Sequence, residues 1–282
     1  MKVALVCCGR LENRYAVEFV EYYKQLGFDH IFIADNNHEG EEHFEDVLQL
    51  YVDEGFVTIC DFRKYKSSVQ YTAYLNIYYE ISKDYDWVVF FDFDEYLTLV
   101  KDKTIKDYLS RNCFKNYNQI LINWKTYTDN NLVYDDGRPC LERFTTPLEN
   151  DKMAEGNEWC ITNEVVKPII RTKLNNLTQP TVHYFLNIIL KNSTCNSVGE
   201  KNEHIQNKKP HYWQPINYEL AYIKHFPTKT IDEWINNKMV RGTGDRSFRL
   251  FKETYNIKRF FDYNKITKEK LQYLKEHNIK IY

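Results

Sequence analysis

The sequence has little excess of either charge, no long apolar run and no paired cysteine motif. Its 38 Lys and Arg residues nearly balance 40 Asp and Glu residues, so the net charge of −2 argues against nucleic-acid binding. No stretch approaches the ~18 apolar residues of a membrane span, and the apolar run at the N-terminus is too short for a signal peptide. The seven cysteines contain no Cys-x-x-Cys pair. This absence argues against a zinc ribbon and favours reduced thiols in a cytoplasmic protein.

Aromatic residues are abundant instead, with 23 Tyr and 17 Phe among 282 residues. Aromatic rings stack on sugars and bases, but they also fill hydrophobic cores, so their number alone does not choose between these roles. The chain shows no internal repeat and no linker. Residues 1–282 are therefore predicted to form a single domain.

Strands and helices alternate through the first hundred residues. Apolar runs typical of buried strands are separated by segments with the period of an amphipathic helix, at residues 3–8, 13–28, 30–35, 41–55, 56–60 and 68–85. Such alternation predicts an α/β fold, a mostly parallel sheet flanked by helices. After residue 100 the pattern becomes less regular.

Carboxylates follow two of the predicted strands. Asp35 ends one strand, and Asp92, Asp94 and Glu95 come directly after the apolar run 87–91. Ligands of parallel α/β sheets bind beyond the carboxyl ends of the strands, so both groups should meet at one edge. Strand alternation would turn Asp92 and Asp94 to the same side and Phe93 into the core. Two carboxylates this close predict a hard divalent cation, Mn²⁺ or Mg²⁺.

Three interpretations of this Asp-Phe-Asp sequence stay open at this point. The acids could be solvated caps after a strand. They could belong to a haloacid-dehalogenase-type phosphatase, although Tyr96 stands where that motif has Thr or Val and the motif follows too many strand–helix units. They could also be the Asp-x-Asp motif of a nucleotide-sugar glycosyltransferase.

The remaining blocks of sequence favour the third interpretation. "ALVCCGRLENRYAVEFVEYYKQLGFDHIFIADNN", "DYDWVVFFDFDEYL", "INW", "ERFT", "VKPII" and "IKHFPTKTIDEWINNKMVRG" resemble, in order, the blocks of bacterial family-2-like and family-92 (DUF23-related) glycosyltransferases. The resemblance runs from about residue 3 to about residue 250 and implies the Rossmann-like GT-A fold. It departs from the family pattern at Leu11, where an Asn is usual, and at Tyr23, where a His is frequent.

The resemblance implies a donor-binding half (1–100) and an acceptor-side half (101–282). Contacts to the nucleotide sugar are expected from Arg10, Glu12, Asp35, Gln70, Asp92 and Arg241. The metal ion, Mn²⁺ or Mg²⁺, is expected on Asp92, Asp94 and His225. The catalytic base is expected to be Glu142, with Asp136 and Glu95 as alternatives. Trp124 is expected to stack on an acceptor sugar.

The predicted function is metal-dependent transfer of a sugar from a nucleotide donor, UDP being expected, to a cell-surface glycan with inversion. The expected partners are the donor and an oligosaccharide or lipid-linked acceptor, with no nucleic acid. The protein is expected to be cytoplasmic. The basic aromatic stretch at residues 258–270 allows a peripheral contact with anionic lipid, or forms a solvated helix. A non-catalytic nucleotide- or glycan-binding module with the same fold is the alternative.

Overall fold

A computed structural model of the chain describes most of its length. It covers residues 1–65, 68–149, 163–202, 214–242 and 256–281. Across these ranges no helix combines the length and the apolar character required to cross a bilayer.

A nine-stranded sheet dominates the described part of the chain, in the order β3-β2-β1-β4-β7-β6-β11-β5 with β10 paired to β6. Its strands are β1 (Val3–Gly9), β2 (His30–Asp35), β3 (Val57–Asp61), β4 (Trp87–Phe90), β5 (Glu95–Leu99), β6 (Gln119–Thr126), β7 (Val166–Arg171), β10 (Thr194–Asn196) and β11 (Ala221–His225). A separate hairpin joins β8 (Thr178–Thr181) to β9 (Tyr184–Leu186). Five strand pairs are parallel and three are antiparallel. The predicted mostly parallel α/β sheet is confirmed.

Helices follow the strands in the order expected from the sequence. They are α1 (Asn13–Gln25), α2 (Glu45–Asp53), α3 (Val69–Ile81), α4 (Ile105–Leu109), α5 (Cys140–Arg143), α6 (Ile231–Glu233), α7 (Met239–Arg241), α8 (Ile257–Tyr263) and α9 (Lys268–Glu276). A π-helical turn (Trp234–Lys238) joins α6 to α7, and we call residues 231–241 the pocket helix. Thr230 begins it with a capping box to Glu233.

The central strand β1 is buried on both faces. Leu5 and Cys7 pack in the same core as α1 and α2, whereas Ala4 and Val6 pack against α3. Parallel strands covered by helices on both sides appear in sequence as unbroken apolar runs, which explains why the first strands were predictable.

One sheet contains strands from both halves of the chain, and the single domain stays a prediction.

The acid motif (residues 92–95) differs in one respect from the expectation. β4 ends at Phe90, so Asp92 and Asp94 lie in the turn before β5 and not along a strand. Phe93 is buried as expected and stacks on Phe44, with ring centroids 5.3 Å apart.

Two of the aromatic and basic side chains in the C-terminal stretch considered for lipid contact are buried in the protein. Phe260 is buried in a small core with the pocket helix. The buried Lys270 pairs with the buried carboxylate of Asp129. These two side chains are therefore not available to a membrane surface.

Candidate active site

A pocket opens where β1 and β4 end, at the edge of the sheet that the sequence predicted. Its volume is about 550 Å³, which includes the space at its mouth that is open to solvent. It is lined by Cys8, Gly9, Arg10, Glu12, Asn36, Gln70, Asp92, Phe93, Asp94, Lys238, Arg241 and Gly242. Five of the six expected donor-binding residues thus line one pocket. Asp94, which was expected only as a metal ligand, lines the same pocket.

Gly9 allows the chain to pass close to the acid motif. A Cβ atom at this position would lie 2.5 Å from the ring of Phe93 and 2.8 Å from that of Phe44. Contacts that short do not occur between real atoms, and stacked aromatic rings have little room to move. Only glycine therefore allows the end of β1 to pack on Phe93, which is the residue between Asp92 and Asp94.

Asp92 is held by three neighbours. Its Oδ1 accepts hydrogen bonds from Gln70 Nε2 at 2.6 Å and from the Tyr74 hydroxyl at 2.9 Å, and its Oδ2 accepts one from Lys167 Nζ at 2.8 Å. Gln70, an expected donor contact, thus orients Asp92. The predicted role of Asp92 itself at ribose or metal stays a prediction.

Lys167 is one of the functional residues that the sequence reasoning missed, and Lys238 is another. Its ammonium group is fully buried between Asp92 and Glu95, 3.5 Å from Glu95 Oε2. Burial lowers the pKa of Lys167, but the two carboxylates outweigh this effect and raise the pKa above its ordinary value. A lysine inside the apolar strand "VKPII" was the available signal, because a buried ammonium group requires a carboxylate partner.

Asp94 faces two other basic side chains, the ammonium group of Lys238 and the imidazole of His225. Its Oδ2 accepts a hydrogen bond from Lys238 Nζ at 3.2 Å, and its Oδ1 lies 3.9 Å from His225 Nε2. Burial alone would raise the pKa of Asp94, but Lys238 and His225 outweigh it and lower the pKa below its usual range. Asp94 therefore stays ionised, as a metal ligand must.

His225 is buried beside Asp94, and its imidazole is neutral at physiological pH. Burial lowers its pKa to about 4, although Asp94 acts in the opposite direction. Within the described part of the chain the ring Nδ1 has no hydrogen-bond partner, whereas buried polar atoms are normally satisfied. A neutral imidazole with an unsatisfied nitrogen is suited to metal coordination.

Trp124 connects Glu95 to His225. Its indole Nε1 donates a hydrogen bond to Glu95 Oε1 at 2.9 Å, and its ring centroid lies 3.9 Å from that of His225. His183 packs on the same indole at 5.3 Å. Trp124 is absent from the pocket lining, so its observed contacts position Glu95 and His225, and the expected stacking on an acceptor sugar stays a prediction.

These contacts form a possible ion site in which Glu95 takes the place that was expected for Asp92. Ligand atoms of Asp94, Glu95 and His225 all lie within 4.8 Å of one another. Carboxylate and imidazole groups together suit Mn²⁺, and the His225 nitrogen that lies near Asp94 is Nε2. Glu95 thus joins the two predicted ligands, while Asp92 lies with Lys167.

The pocket helix brings a second cation to the pocket. Arg241 pairs with the buried carboxylate of Glu12 and donates a hydrogen bond to the carbonyl of Arg10 at 3.0 Å. The guanidinium of Arg10 pairs with Glu41, with 2.5 Å between Nη2 and Oε1. Arg241 and Lys238 are three residues apart on one helix, so both reach the same side.

Asp35 is buried and is occupied by protein groups. Its Oδ2 accepts two hydrogen bonds from the guanidinium of Arg63, and its Oδ1 accepts from the backbone and side-chain amides of Asn37. Asp35 is absent from the pocket lining, whereas its neighbour Asn36 is present. Its expected contact with the nucleotide stays a prediction.

Of the three candidate bases, Glu95 belongs to the acid motif, whereas Glu142 and Asp136 are exposed. Glu142 is exposed on α5, and the next residue, Arg143, points inward to form a bidentate pair with the buried Glu233. Asp136 is exposed and pairs with Arg138, whose hydrogen bond lowers the pKa of that carboxyl group. Neither candidate belongs to the pocket lining.

An α/β sheet with an acid motif, a histidine and cations at one edge is typical of the nucleotide-sugar glycosyltransferase class. Residues 5–241 match the sequence model described as Glycosyltransferase family 92. The chain therefore belongs to glycosyltransferase family 92 and is an enzyme of that class. No curated protein matches the chain significantly in sequence.

Several solved structures show detectable but low similarity to the chain. S. aureus TarS 1-349 in complex with UDP-GlcNAc is 14% identical, over 48% of this chain and 37% of that chain, with a TM-score of 0.35. The mannosyltransferase PcManGT from Pyrobaculum calidifontis, in complex with GDP-Man and Mn²⁺, is 8% identical, over 43% of this chain and 35% of that chain, with a TM-score of 0.33. The matched region spans little more than a third of each of these proteins.

Proposed function

We propose that the protein transfers a sugar from a nucleotide donor, UDP being the expected carrier, to a cell-surface glycan, with inversion and with Mn²⁺ or Mg²⁺. The acceptor is an oligosaccharide or lipid-linked glycan, for example of lipopolysaccharide or capsule, assembled on the cytoplasmic side of the membrane. The supporting observation is the pocket in which Asp92 and Asp94 lie opposite Lys238 and Arg241. Family membership favours this function over a phosphatase or a non-catalytic binding module.

The pocket contains both kinds of charge that a nucleotide diphosphate and its metal ion require. Asp94 and His225, with Glu95 or Asp92, would hold the ion, which stabilises the negative charge that develops on the leaving diphosphate. Lys238 and Arg241 bind the diphosphate oxygens, because ammonium and guanidinium groups form charge-assisted hydrogen bonds with phosphate. Without a donor, these cations pair with Asp94 and Glu12 instead.

The acid motif is kept in position by residues behind it. Gln70, Tyr74 and Lys167 fix Asp92 at its two oxygens, and Trp124 fixes Glu95. A carboxylate held by three donors does not need to reorganise when the substrate binds. Such preorganisation is the main route by which enzymes stabilise developing charge.

Donor hydrolysis with and without metal tests the proposal. The purified protein is incubated with UDP-, GDP-, CDP- and dTDP-sugars, first with Mn²⁺ and then with EDTA, and release of the nucleotide is measured. We expect turnover with UDP-sugars and Mn²⁺ and its loss with EDTA. Asp94→Asn should lower the rate roughly 10²–10³-fold, as removal of one charge-stabilising group typically does. The exposed Glu219, paired with Lys101 at the surface, provides the control variant Glu219→Gln.

An unchanged rate in Asp94→Asn, or turnover that EDTA does not affect, would contradict the assignment of the ion site. No turnover with any donor, combined with metal-dependent nucleotide binding, would favour the non-catalytic alternative.

Glu142 is the proposed base on the acceptor side. Asp136 is the weaker candidate, because Arg138 lowers the pKa of its carboxyl group and so reduces its basicity. Glu142→Gln should therefore lower kcat for transfer about 10²-fold or more, while Asp136→Asn changes it little. Equal losses in the two variants, or none in Glu142→Gln, would exclude this assignment.

A further inference from the structure

Two lysines lie side by side on the opposite side of the sheet from the acid motif. Lys125 and Lys224 are direct partners in the parallel pairing of β6 with β11. Lys125 follows Trp124 and Lys224 precedes His225, and both Trp124 and His225 belong to the candidate active site. Because side chains alternate along a strand, the lysines face away from these two rings.

Tyrosine rings lie close to both ammonium groups, two near Lys125 and one near Lys224. Lys125 Nζ lies 5.1 Å from the ring centroid of Tyr222 and 5.4 Å from that of Tyr218. Lys224 Nζ lies 5.8 Å from the ring of Tyr127. Apart from the buried Tyr127, these side chains are partly exposed, so a ligand in solvent can reach them. We call Lys125, Lys224, Tyr218 and Tyr222 the rear patch.

The rear patch has no acidic counterpart. Within the described ranges neither lysine forms an ion pair with a carboxylate, and the nearby Glu219 pairs with Lys101 at 2.8 Å. Like charges directly opposite each other in a sheet are destabilising. An external anion would neutralise the two charges.

We propose that the rear patch binds an anionic sugar unit, carboxylated or phosphorylated, of an oligosaccharide chain. Ammonium groups form charge-assisted hydrogen bonds with carboxylate or phosphate, and tyrosine rings offer an apolar face with a hydroxyl to a sugar ring. The identity of the occupant rests on the proposed glycan acceptor. Because the rear patch and the acid motif lie on opposite faces of the sheet, the patch holds a part of the glycan remote from the reacting hydroxyl.

Binding is measured by isothermal titration calorimetry without metal or donor. The probes are a tetramer of galacturonic acid, a glycerol-phosphate oligomer and neutral maltotetraose. We expect one or both anionic probes to bind, more weakly at high salt, and the neutral probe to bind at least tenfold more weakly. The two anionic probes show whether carboxylate or phosphate is preferred. Lys125→Gln and Lys224→Gln should each weaken binding about tenfold, the effect of losing one charge-assisted hydrogen bond.

Lys101→Gln is the matched control, because it removes a neighbouring positive charge that already has a carboxylate partner. It should bind the probes like the wild type, and Lys125→Arg should retain binding because it retains the charge. The proposal is overturned if neither anionic probe binds, if maltotetraose binds equally well, or if the Lys→Gln variants bind like Lys101→Gln. Thermal melting of each variant confirms that it is folded.

The same experiment separates this inference from the proposed function. Asp94→Asn should bind the anionic probes like the wild type, although it loses donor hydrolysis. Probe binding without donor turnover would refute the proposed function and leave the rear patch as a glycan-binding site. Donor turnover without probe binding would refute the rear patch alone.

Discussion

Replacement of Lys167 by Met tests the internal charge balance of the acid motif. The ammonium group is fully buried and lies 2.8 Å from Asp92 Oδ2. Its removal leaves the carboxylate of Asp92 without a cationic partner, beside the buried Glu95. Breaking a buried ion pair in this way typically costs about 3–5 kcal/mol of the free energy of unfolding. For a chain of this size that loss corresponds to a decrease in Tm of roughly 6–20 °C.

The free energy of unfolding that Lys167→Met loses should depend on pH. In the wild type, the raised pKa of Lys167 keeps its contribution fully present below its unfolded pKa, so this contribution is constant across neutral pH. Burial already raises the pKa of Glu95 above its ordinary value in the wild type, although Lys167 acts in the opposite direction. Removal of Lys167 raises this pKa further, so the folded variant binds a proton that the unfolded state releases, and its stability falls as the pH rises from about 5 to 8. The wild type follows the same course until its own Glu95 ionises, so the gap in stability between the two proteins should stay constant or widen with rising pH, and not narrow.

Urea unfolding at pH 5.5 and at pH 8, in metal-free buffer, measures this gap. Lys101→Met is the control, because it breaks an ion pair of the same type in which Lys101 and Glu219 are 50% and 66% exposed. Exposed pairs contribute about 0–1 kcal/mol. If Lys167→Met loses no more stability than Lys101→Met, or if the gap narrows with rising pH, the assignment of Lys167 as the internal counter-ion is wrong.

Two further substitutions test the framework around the pocket. Gly9→Ala should lower the free energy of unfolding by about 1–3 kcal/mol through overpacking against Phe93, measured by urea unfolding. An unchanged midpoint would show that the ring can move aside. Arg143→Met should cost about 3–5 kcal/mol, because Arg143 is the buried partner of Glu233. Burial raises the pKa of Glu233, but Arg143 outweighs it, so this stability is present above the ordinary Glu pKa and lost at lower pH. Wild type and Arg143→Met should therefore converge in acid, and a constant difference would contradict the pairing.

The sequence predicted the donor half well because its signals are local. Buried parallel strands appear as apolar runs, and the helices between them have a clear amphipathic period. The edge at which Asp92 and Asp94 lie followed from these signals alone. The reason offered for their common orientation was wrong, however, because the strand ends at Phe90 and the two aspartates lie in a turn.

The partners of the acid motif could not be predicted because they come from distant parts of the chain. Lys167 reaches Asp92 only because β7 pairs antiparallel with β4, and no local pattern specifies that pairing. Lys238 reaches Asp94 across 144 residues of sequence. The family resemblance suggested His225 and Arg241, but it gave no indication that Glu95 is the direct partner of His225 in the antiparallel pairing of β5 with β11.

The π-helical turn in the pocket helix absorbs one residue of the chain. Such a turn amounts to one residue more than a regular helix would accommodate, and each residue of an α-helix rotates the chain by about 100°. An extra residue in a regular helix would therefore rotate Arg241 by about that angle, away from Glu12. Because the wider turn between Trp234 and Lys238 takes up this residue, Lys238 and Arg241 keep the orientation toward the pocket that a regular helix one residue shorter would give them.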